Sequence, residues 1–255
     1  MINIIYDSFS LQANGITTSE VSGIYGAPPR DLQIENIAGA DGGVLVDAKY
    51  RPRPIILEGH ITGSDQQDTE EKIQLFKRAM NKEEKELKID DEGDFTTYTA
   101  SFSALEMQRN RGLTKANYRM QMMCAEPTGL VGGVVSLINT TSTQNSDLIA
   151  LNVVGSYKAQ PQVSITIDSF TGSGDQSVSF RNSKNFAGIT ITRTWTAGDE
   201  ITIDSLNLDV TVNGSVVDFT GIFPEFEPGS GTALYSDTFS ARSSDIVATY
   251  NKRKL

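Results

Sequence analysis

The residue types that could support catalysis or bind a metal are sparse in this sequence. It has one histidine, His60, and one cysteine, Cys124, so a single chain cannot form an internal disulfide or a zinc site of cysteine and histidine ligands. A Ser-His-Asp triad would have to use His60, which lies in the strand-like run 55–61, and no nucleophile-elbow motif accompanies it. The sequence therefore predicts no catalytic residue, no metal and no cofactor.

One carboxylate cluster offers the ligands that a cation would need. Residues 90–94 read D-D-E-G-D, and calcium prefers several carboxylate oxygens beside a glycine turn. The run lacks the spacing and the terminal bidentate glutamate of an EF-hand loop. A plain acidic turn is the simpler interpretation, and metal binding is the alternative.

Length and charge restrict the class of protein. The 255 residues are enough for one large β domain or two modest domains, and we expect two. A formal net charge of -10 disfavours nucleic-acid binding, because affinity for a phosphate backbone derives mostly from lysine and arginine. No apolar run is long enough to cross a bilayer and the start does not resemble a signal peptide, so we expect a protein that matures inside a cell.

The first part of the sequence alternates between strand-like runs and turn residues. The strand-like runs cover residues 2–6, 16–25, 32–37 and 44–50. Residues 51–61 then form a strand that is entered through two prolines. Arg51 and Arg53 stand at its start, and they are either solvated charges at a sheet edge or members of an ion pair between subunits.

One segment, at residues 66–81, has the period of an α-helix. Ile73, Phe76 and Met80 recur at offsets of three and four, while charged and amide side chains occupy the other faces. The serine and aspartate just before the segment could cap its first turn. The apolar stripe predicts that the helix packs against a sheet in the core of its domain.

Strand character resumes after the helix. The segments are residues 87–89, 95–107 and 113–124, with a hairpin signal at 110–112. Met120 and Met122 share a face with Tyr118 and Cys124 in the last of these strands. Methionine fills irregular gaps, so core packing is the default interpretation and an adaptable contact with another subunit is the alternative.

A domain boundary is expected at residues 126–133, where one proline and three glycines occur. We therefore divide the chain into domains 1–130 and 131–255. The polar stretch that follows, residues 139–146, is either a linker or a long surface loop.

The second domain is almost entirely β by pattern. Short apolar segments that alternate at a period of two recur from residue 148 to residue 250, with turn residues between them. Asn213-Gly214 suits a type I′ hairpin turn, because both residues accept positive φ. The sequence predicts a mostly β fold with one helix: a β-rich α+β first domain and an all-β sandwich or jelly roll as the second.

The order of these segments resembles the distal tail protein (Dit) family of long-tailed bacteriophages. In the first domain the resemblance lies in R-P-I-I-L-E-G-H-I-T-G (residues 53–63), the acidic helix after it and L-K-I-D-D (87–91). In the second domain it lies in T-W-T-A-G-D-E-I-T-I-D (194–204), V-N-G (212–214), G-I-F-P-E-F-E-P-G (221–229) and the closing segment 246–253. The second set also recurs in related phage tail components.

The resemblance implies a structural virion protein of the tail tip, made in the host cytoplasm and without enzymatic activity. It implies a homo-oligomeric ring, commonly of six subunits, that joins the tail tube to the tip or baseplate. The first domain would line the channel and a galectin-like second domain would project outward. The expected partners are further copies of the chain, the major tail tube protein, a tail-associated hub, lysin or fibre protein and the tape measure protein, with DNA only in transit and no membrane insertion.

Two segments of the second domain are further candidates for an interface. In residues 223–229, Phe223 and Phe226 are held by two prolines and would lose little freedom on docking, although the loop could equally fold back onto the sandwich. Lys252 and Arg253 either meet an acidic neighbour or form a solvated terminus.

Two other function classes stay open at this point. A carbohydrate-binding module would use the face of Trp195 to stack on a sugar, but the alternating strand around it favours a core position. A polysaccharide hydrolase would need two carboxylates held at a defined separation, which a sequence does not reveal.

Overall fold

A computed structural model describes residues 2–37, 41–91, 94–109 and 114–255 of the chain. The chain divides into two compact units, Met1–Val131 together with Leu255, and Gly132–Lys254. The described residues form antiparallel strands and one α-helix, which confirms the predicted mostly β fold class. The predicted hairpin at 110–112 and part of the acidic run 90–94 lie outside the described residues.

The strands and helices are numbered in the order in which they occur along the chain. The first unit contains β1 (Asn3–Tyr6), β2 (Phe9–Ser10), a short 3-10 helix (Gln12–Asn14), β3 (Ile16–Ser22), β4 (Arg30–Asn36), β5 (Gly43–Tyr50), β6 (Arg53–Thr62), α1 (Gln66–Met80), β7 (Lys85–Asp91), β8 (Asp94–Arg109) and β9 (Lys115–Cys124). The boundary between the units falls within β10 (Gly129–Ser142). The second unit continues with β11 (Ser146–Val153), β12 (Gln162–Thr171), β13 (Gln176–Asn182), β14 (Gly188–Arg193), β15 (Glu200–Asp204), β16 (Asp209–Val212), β17 (Ser215–Val216), β18 (Thr220–Gly221), β19 (Gly229–Asp237) and β20 (Ala241–Lys254).

The long strand β8 organises the first unit, because it pairs with different strands along its length. Its first half pairs with β7 and its second half with β9. The β7 side continues through β1 to β2, and the β9 side continues through β6 to β3. The register shifts between Phe102 and Ala104, close to the change of partner, and an irregularity of this kind bends and twists a strand locally.

The helix α1 provides part of the core of the first unit. Ile73, Phe76 and Met80 are buried, as their spacing predicted, and the Phe76 ring lies 5.0 Å from the Tyr118 ring between centroids. The helix begins after Asp65, whose carboxylate accepts a hydrogen bond of 2.8 Å from the Asp68 backbone N–H and so satisfies a donor that the helix leaves unpaired.

The second unit is a β-sandwich. One of its sheets has the strand order β17-β16-β15-β12-β20-β10, and the other has the order β11-β19-β13-β14-β18. Alternate residues of both sheets enter one apolar cluster, such as Val163 and Ile165 of β12 and Ala233 and Tyr235 of β19. This is the arrangement expected where two antiparallel sheets bury one face each.

The Asn213-Gly214 turn is confirmed. Both residues have positive φ, 51° and 74°, and they connect β16 to β17 with Val212 opposite Ser215. The expectation of a linker or long loop at residues 139–146 is wrong: β10 extends to Ser142 and β11 begins at Ser146. Threonine favours strands despite its polarity, and Ser142 is fully buried at the end of β10.

We expect Phe76→Ala to lower the free energy of unfolding of the first unit by about 3–5 kcal/mol, because the change leaves a cavity between α1 and Tyr118. Denaturant unfolding followed by circular dichroism measures this loss. Gln74→Ala, on the exposed side of the same helix, is the control and should change stability by about 0.5 kcal/mol or less. Equal effects of the two substitutions would contradict the placement of the helix.

Candidate assembly surfaces

Strands β4 and β5 form a two-stranded sheet of their own, which we call the arm (residues 30–36 and 43–50). Every residue of β4 is exposed, and so are most residues of β5. The exposed residues include large apolar side chains whose exposed fractions lie between 52% and 58%: Leu32, Ile34, Val44, Leu45 and Val46. Several exposed apolar side chains on one small element are a feature typical of an interaction site.

The strand register gives the arm one apolar face and one charged face. Directly opposed residues share a face, and Leu32 is opposite Ala48 while Ile34 is opposite Leu45. A register shift in the bulge after Gln33 is what keeps Ile34 and Leu45 together.

The other face carries most of the arm's charge. Asp31 is opposite Lys49, Gln33 is opposite Asp47 and Glu35 is opposite Val44. The arm is therefore an amphipathic ribbon whose apolar face is exposed.

Interactions at the root of the arm join its two strands. Arg30 lies 4.3 Å from the centroid of the Tyr50 ring and also hydrogen-bonds the Tyr50 hydroxyl. Arg51 pairs with Asp31, and the hydrogen bond from this guanidinium lowers the pKa of the Asp31 carboxyl. Arg51 is exposed, as its sequence context predicted, but the carboxylate that it contacts belongs to its own chain. A role for Arg51 between subunits stays a prediction.

Arg53 is not an edge charge, and its prediction as one is wrong. Only 1% of its surface is exposed, and its guanidinium donates hydrogen bonds to the backbone carbonyls of Gly23, Ile24 and Gly26. The proline-rich sequence around it suggested an edge strand, but β6 is paired on both sides, with β3 and with β9. Arg53 is therefore enclosed within its own unit.

Met120 and Met122 face the core of the first unit, and neither is exposed. Their default interpretation as core residues agrees with this placement, and the alternative of a subunit contact is excluded by their burial. Cys124 lies on the same face and is also fully buried. Burial raises the pKa of the Cys124 thiol to about 12, so the thiol is protonated at neutral pH and is not a reactive thiolate.

The loop at residues 223–229 folds back onto the sandwich. Phe226 is 2% exposed, packs at 6.3 Å from Phe180 and exchanges two backbone hydrogen bonds with Ala159. Phe226 is therefore not available to a partner, which corrects its prediction as a contact residue. Phe223 is half-buried, with its ring 5.4 Å from that of Phe219.

The exposed apolar residues of this region lie beside the predicted loop. Ile222 is 72% exposed, and its backbone N–H bonds the Gly188 carbonyl, close to Phe186, which is 69% exposed. The run F-T-G-I-F at residues 219–223 contains Ile222, but it is too short for its alternation to show which apolar side chain faces the core. Lys252 and Arg253 lie near the end of β20 and are half-buried, and their interface role stays a prediction.

Trp195 is a core residue. It is 4% exposed, its indole N–H donates a 2.8 Å hydrogen bond to the Gln176 carbonyl, and the Arg193 guanidinium lies 5.5 Å from the ring centroid. No open face of this ring is available for stacking on a sugar. Trp195 therefore no longer supports the hypothesis of a carbohydrate-binding module.

The described residues contain no assembled group of three or more histidine, cysteine, aspartate or glutamate side chains that could hold a metal. Within the same residues no helix is both long enough and apolar enough to span a bilayer.

Comparison with known proteins agrees with the resemblance read from the sequence. Residues 154–253 match the family described as siphovirus-type tail component, C-terminal domain. No curated protein matches the chain. The chain is similar over 100% of its length, and over 100% of the other chain, to the Dit (gp 19.1) protein of phage SPP1, described as a paradigm of the hub adsorption apparatus of phages that infect Gram-positive bacteria, with 14% identity and a TM-score of 0.75.

A chain in the activated baseplate of phage P2 is also similar, with 11% identity over 98% of each chain and a TM-score of 0.44. The similarity to SPP1 Dit shows a shared fold along the whole chain, and the family match covers most of the second unit. The predicted resemblance to the Dit family is thereby confirmed.

We expect Cys124 to resist alkylation in the native protein. At pH 8 only about one thiol in 10⁴ is ionised when its pKa is 12, against about one in four for an ordinary thiol. Mass spectrometry after treatment with iodoacetamide should show labelling at least about 100-fold slower than in urea-unfolded protein. Rapid labelling of native protein would contradict the burial of this side chain.

We also expect Trp195→Ala to destabilise the second unit by about 3–5 kcal/mol, because it removes a buried aromatic side chain and its hydrogen bond. Denaturant unfolding followed by far-ultraviolet circular dichroism measures the loss, since the chain has no other tryptophan. The control Trp195→Phe keeps a buried ring and should retain most of the stability. A Trp195→Ala protein as stable as the parent would reopen a surface role for this residue.

Proposed function

We propose that this chain is a structural hub protein of a siphovirus tail, and that identical copies form a closed ring, six by resemblance, between the tail tube and the tail tip. The observation that carries the proposal is the arm, whose apolar face is exposed in the single chain. The family match of residues 154–253 and the fold shared with SPP1 Dit support a place in the tail.

The arm has the properties of an interface element that is incomplete in one copy. A two-stranded ribbon is marginally stable alone in water and needs further packing on one of its faces. Leu32, Ile34 and Leu45 are each more than half exposed on that face. Complete burial of an apolar side chain of this size contributes about 1.5–3 kcal/mol, so docking the face would stabilise an assembly by several kcal/mol per arm.

A second copy of the same chain is the partner that we propose for the arm. When each subunit gives one arm and receives one, the contact is heterologous, and rotation about a common axis closes it into a ring without leftover surfaces. In such a ring a neighbouring copy buries the apolar face of every arm, and no other protein is needed for this. The charged face, with Asp31, Glu35 and Asp47, would stay in contact with solvent.

The remaining roles rest on the resemblance. The neighbours would be the major tail tube protein, the tape measure protein and a tail-associated hub, lysin or fibre protein, and the location would be the tip of the virion tail. The net charge of -10 suits a channel wall to which DNA in transit does not adhere. The role is structural, without catalysis or a cofactor.

We expect the double substitution Leu32→Asp with Ile34→Asp to convert the ring into monomers. It places two carboxylates on the apolar face of each arm and, because the two side chains are 56% and 58% exposed before docking, removes about 2–3 kcal/mol of burial per contact, which weakens association by more than about 20-fold. Native mass spectrometry and electron micrographs of the purified protein measure the subunit number and the presence of a central hole.

The matched control is Val216→Asp, at a residue of the second unit that is 77% exposed. It should leave the ring intact. Two results would contradict the proposal: a parent protein that stays monomeric even with tail tube or tail tip partners, or an arm variant that still assembles like the parent.

A further inference from the structure

We propose that Arg53 is the positioning residue of the arm, because it clamps both roots of the arm to the core of the first unit. This inference rests on the proposed role of the arm in assembly. Arg53 begins β6, and only two residues separate it from the end of β5, the strand that returns from the arm. Its guanidinium reaches the loop that leads into the arm, so one side chain connects the two ends.

The clamp consists of hydrogen bonds to three carbonyls of one short loop. Nη1 donates to the Gly23 carbonyl at 3.0 Å and to the Ile24 carbonyl at 3.4 Å, and Nη2 donates to the Gly26 carbonyl at 3.1 Å. The planar fork of a guanidinium suits several fixed acceptors, which a lysine ammonium could not reach from a single nitrogen. Arg53 therefore fixes the course of the chain four residues before β4 begins.

Two further features restrict the path of the backbone between the loop that Arg53 contacts and the arm. Gly23 lies so close to β6 that a Cβ atom there would stand 2.2 Å from the Pro54 carbonyl oxygen, and its φ of 91° suits glycine. Pro28 and Pro29 then connect the loop to Arg30 with restricted φ. A shift of the loop would therefore move the arm as well, because the two prolines leave the connecting segment little freedom to compensate.

Arg53 holds the loop through directional hydrogen bonds to neutral carbonyls. Arg53 makes no ion pair with a carboxylate among the described residues, and its buried Nε has no hydrogen-bond partner. By contrast, the Arg242 side chain, which is 8% exposed, is paired with Asp237 at 2.8 Å. Replacing a complete buried ion pair by apolar side chains is often neutral for stability, but Arg53 donates to neutral carbonyls that would lose these hydrogen bonds if it were replaced. The Arg53 guanidinium also lies 5.8 Å from the centroid of the Tyr98 ring, and the geometry of its donors is what links this buried side chain to the loop before the arm.

The experiment compares Arg53→Met and Arg53→Lys with the parent and with Arg119→Met. Arg119 lies on the same sheet but is exposed and paired with Glu58, so its loss controls for removing an arginine. Hydrogen exchange of the backbone amides follows residues 23–36 and 43–51, and native mass spectrometry over a dilution series follows the ring.

For Arg53→Met we expect exchange at least tenfold faster in both arm segments, with the amides of β9 changed by less than twofold. We expect tenfold or greater weakening of ring association, an intermediate effect for Arg53→Lys and no effect for Arg119→Met. An increase in exchange spread evenly over the first unit would indicate a merely structural residue and would overturn the proposal. Faster arm exchange with unchanged association would also overturn it.

Pro29→Gly tests the same mechanism without touching the core, in case Arg53→Met does not fold. Pro29 is exposed, and its loss frees the connection between the clamp and β4. It should weaken association while the exchange of residues 23–26 stays as in the parent, and unchanged association would count against the positioning role. If the parent forms no ring, the proposed function fails, and exchange alone then decides whether Arg53 is the clamp.

Discussion

The structure depends on the alternation of side chains along its strands, which places every second residue on one face of a sheet. In the first unit β6 and β9 bury alternate residues together with α1, and in the second unit β12 and β19 bury them in the sandwich. The arm obeys the same alternation but lacks a layer above its apolar face. Two units with complete cores thus carry one element that is incomplete within its own chain.

The polar groups inside the core of the first unit show how this division is maintained. Tyr6 donates to backbone carbonyls, and Tyr118 and Thr18 form a hydrogen bond between their hydroxyls. These bonds satisfy groups of the same unit, as buried polar groups require. Arg53 also satisfies carbonyls of its own unit, but those carbonyls belong to the loop that leads to the arm. The interior of the first unit is therefore connected to the element that we assign to assembly.

The sequence was sufficient to predict those elements that depend only on neighbouring residues. The helix followed from three apolar residues at helical spacing, and the turn at Asn213-Gly214 followed from the φ requirement of its residues. The burial of Arg53 and Phe226 was not predictable in this way, because it depends on which strands pair with β6 and on where a loop returns across the sandwich. In a β protein the pattern gives the two faces of a strand, and the long-range pairing decides which face is covered.

The arm illustrates the same limit more sharply. The run V-L-V at residues 44–46 has no alternation, so it does not reveal two distinct faces. Only the register shift after Gln33 puts Leu45 opposite Ile34 and separates the apolar face from the charged one. A β-bulge costs one ladder position and is retained where it directs side chains to a particular side.

An interface on a separate ribbon allows a subunit to fold before it assembles. Each unit has its own complete core, so folding does not require the apolar face of the arm to be covered. The net charge of -10 opposes non-specific association of single copies, because like charges repel. In the assembly that we propose, docking of the arm overcomes that repulsion by burying apolar surface in one defined geometry. A clamp at the root favours this outcome, since a ribbon that is already oriented loses less conformational freedom when it docks.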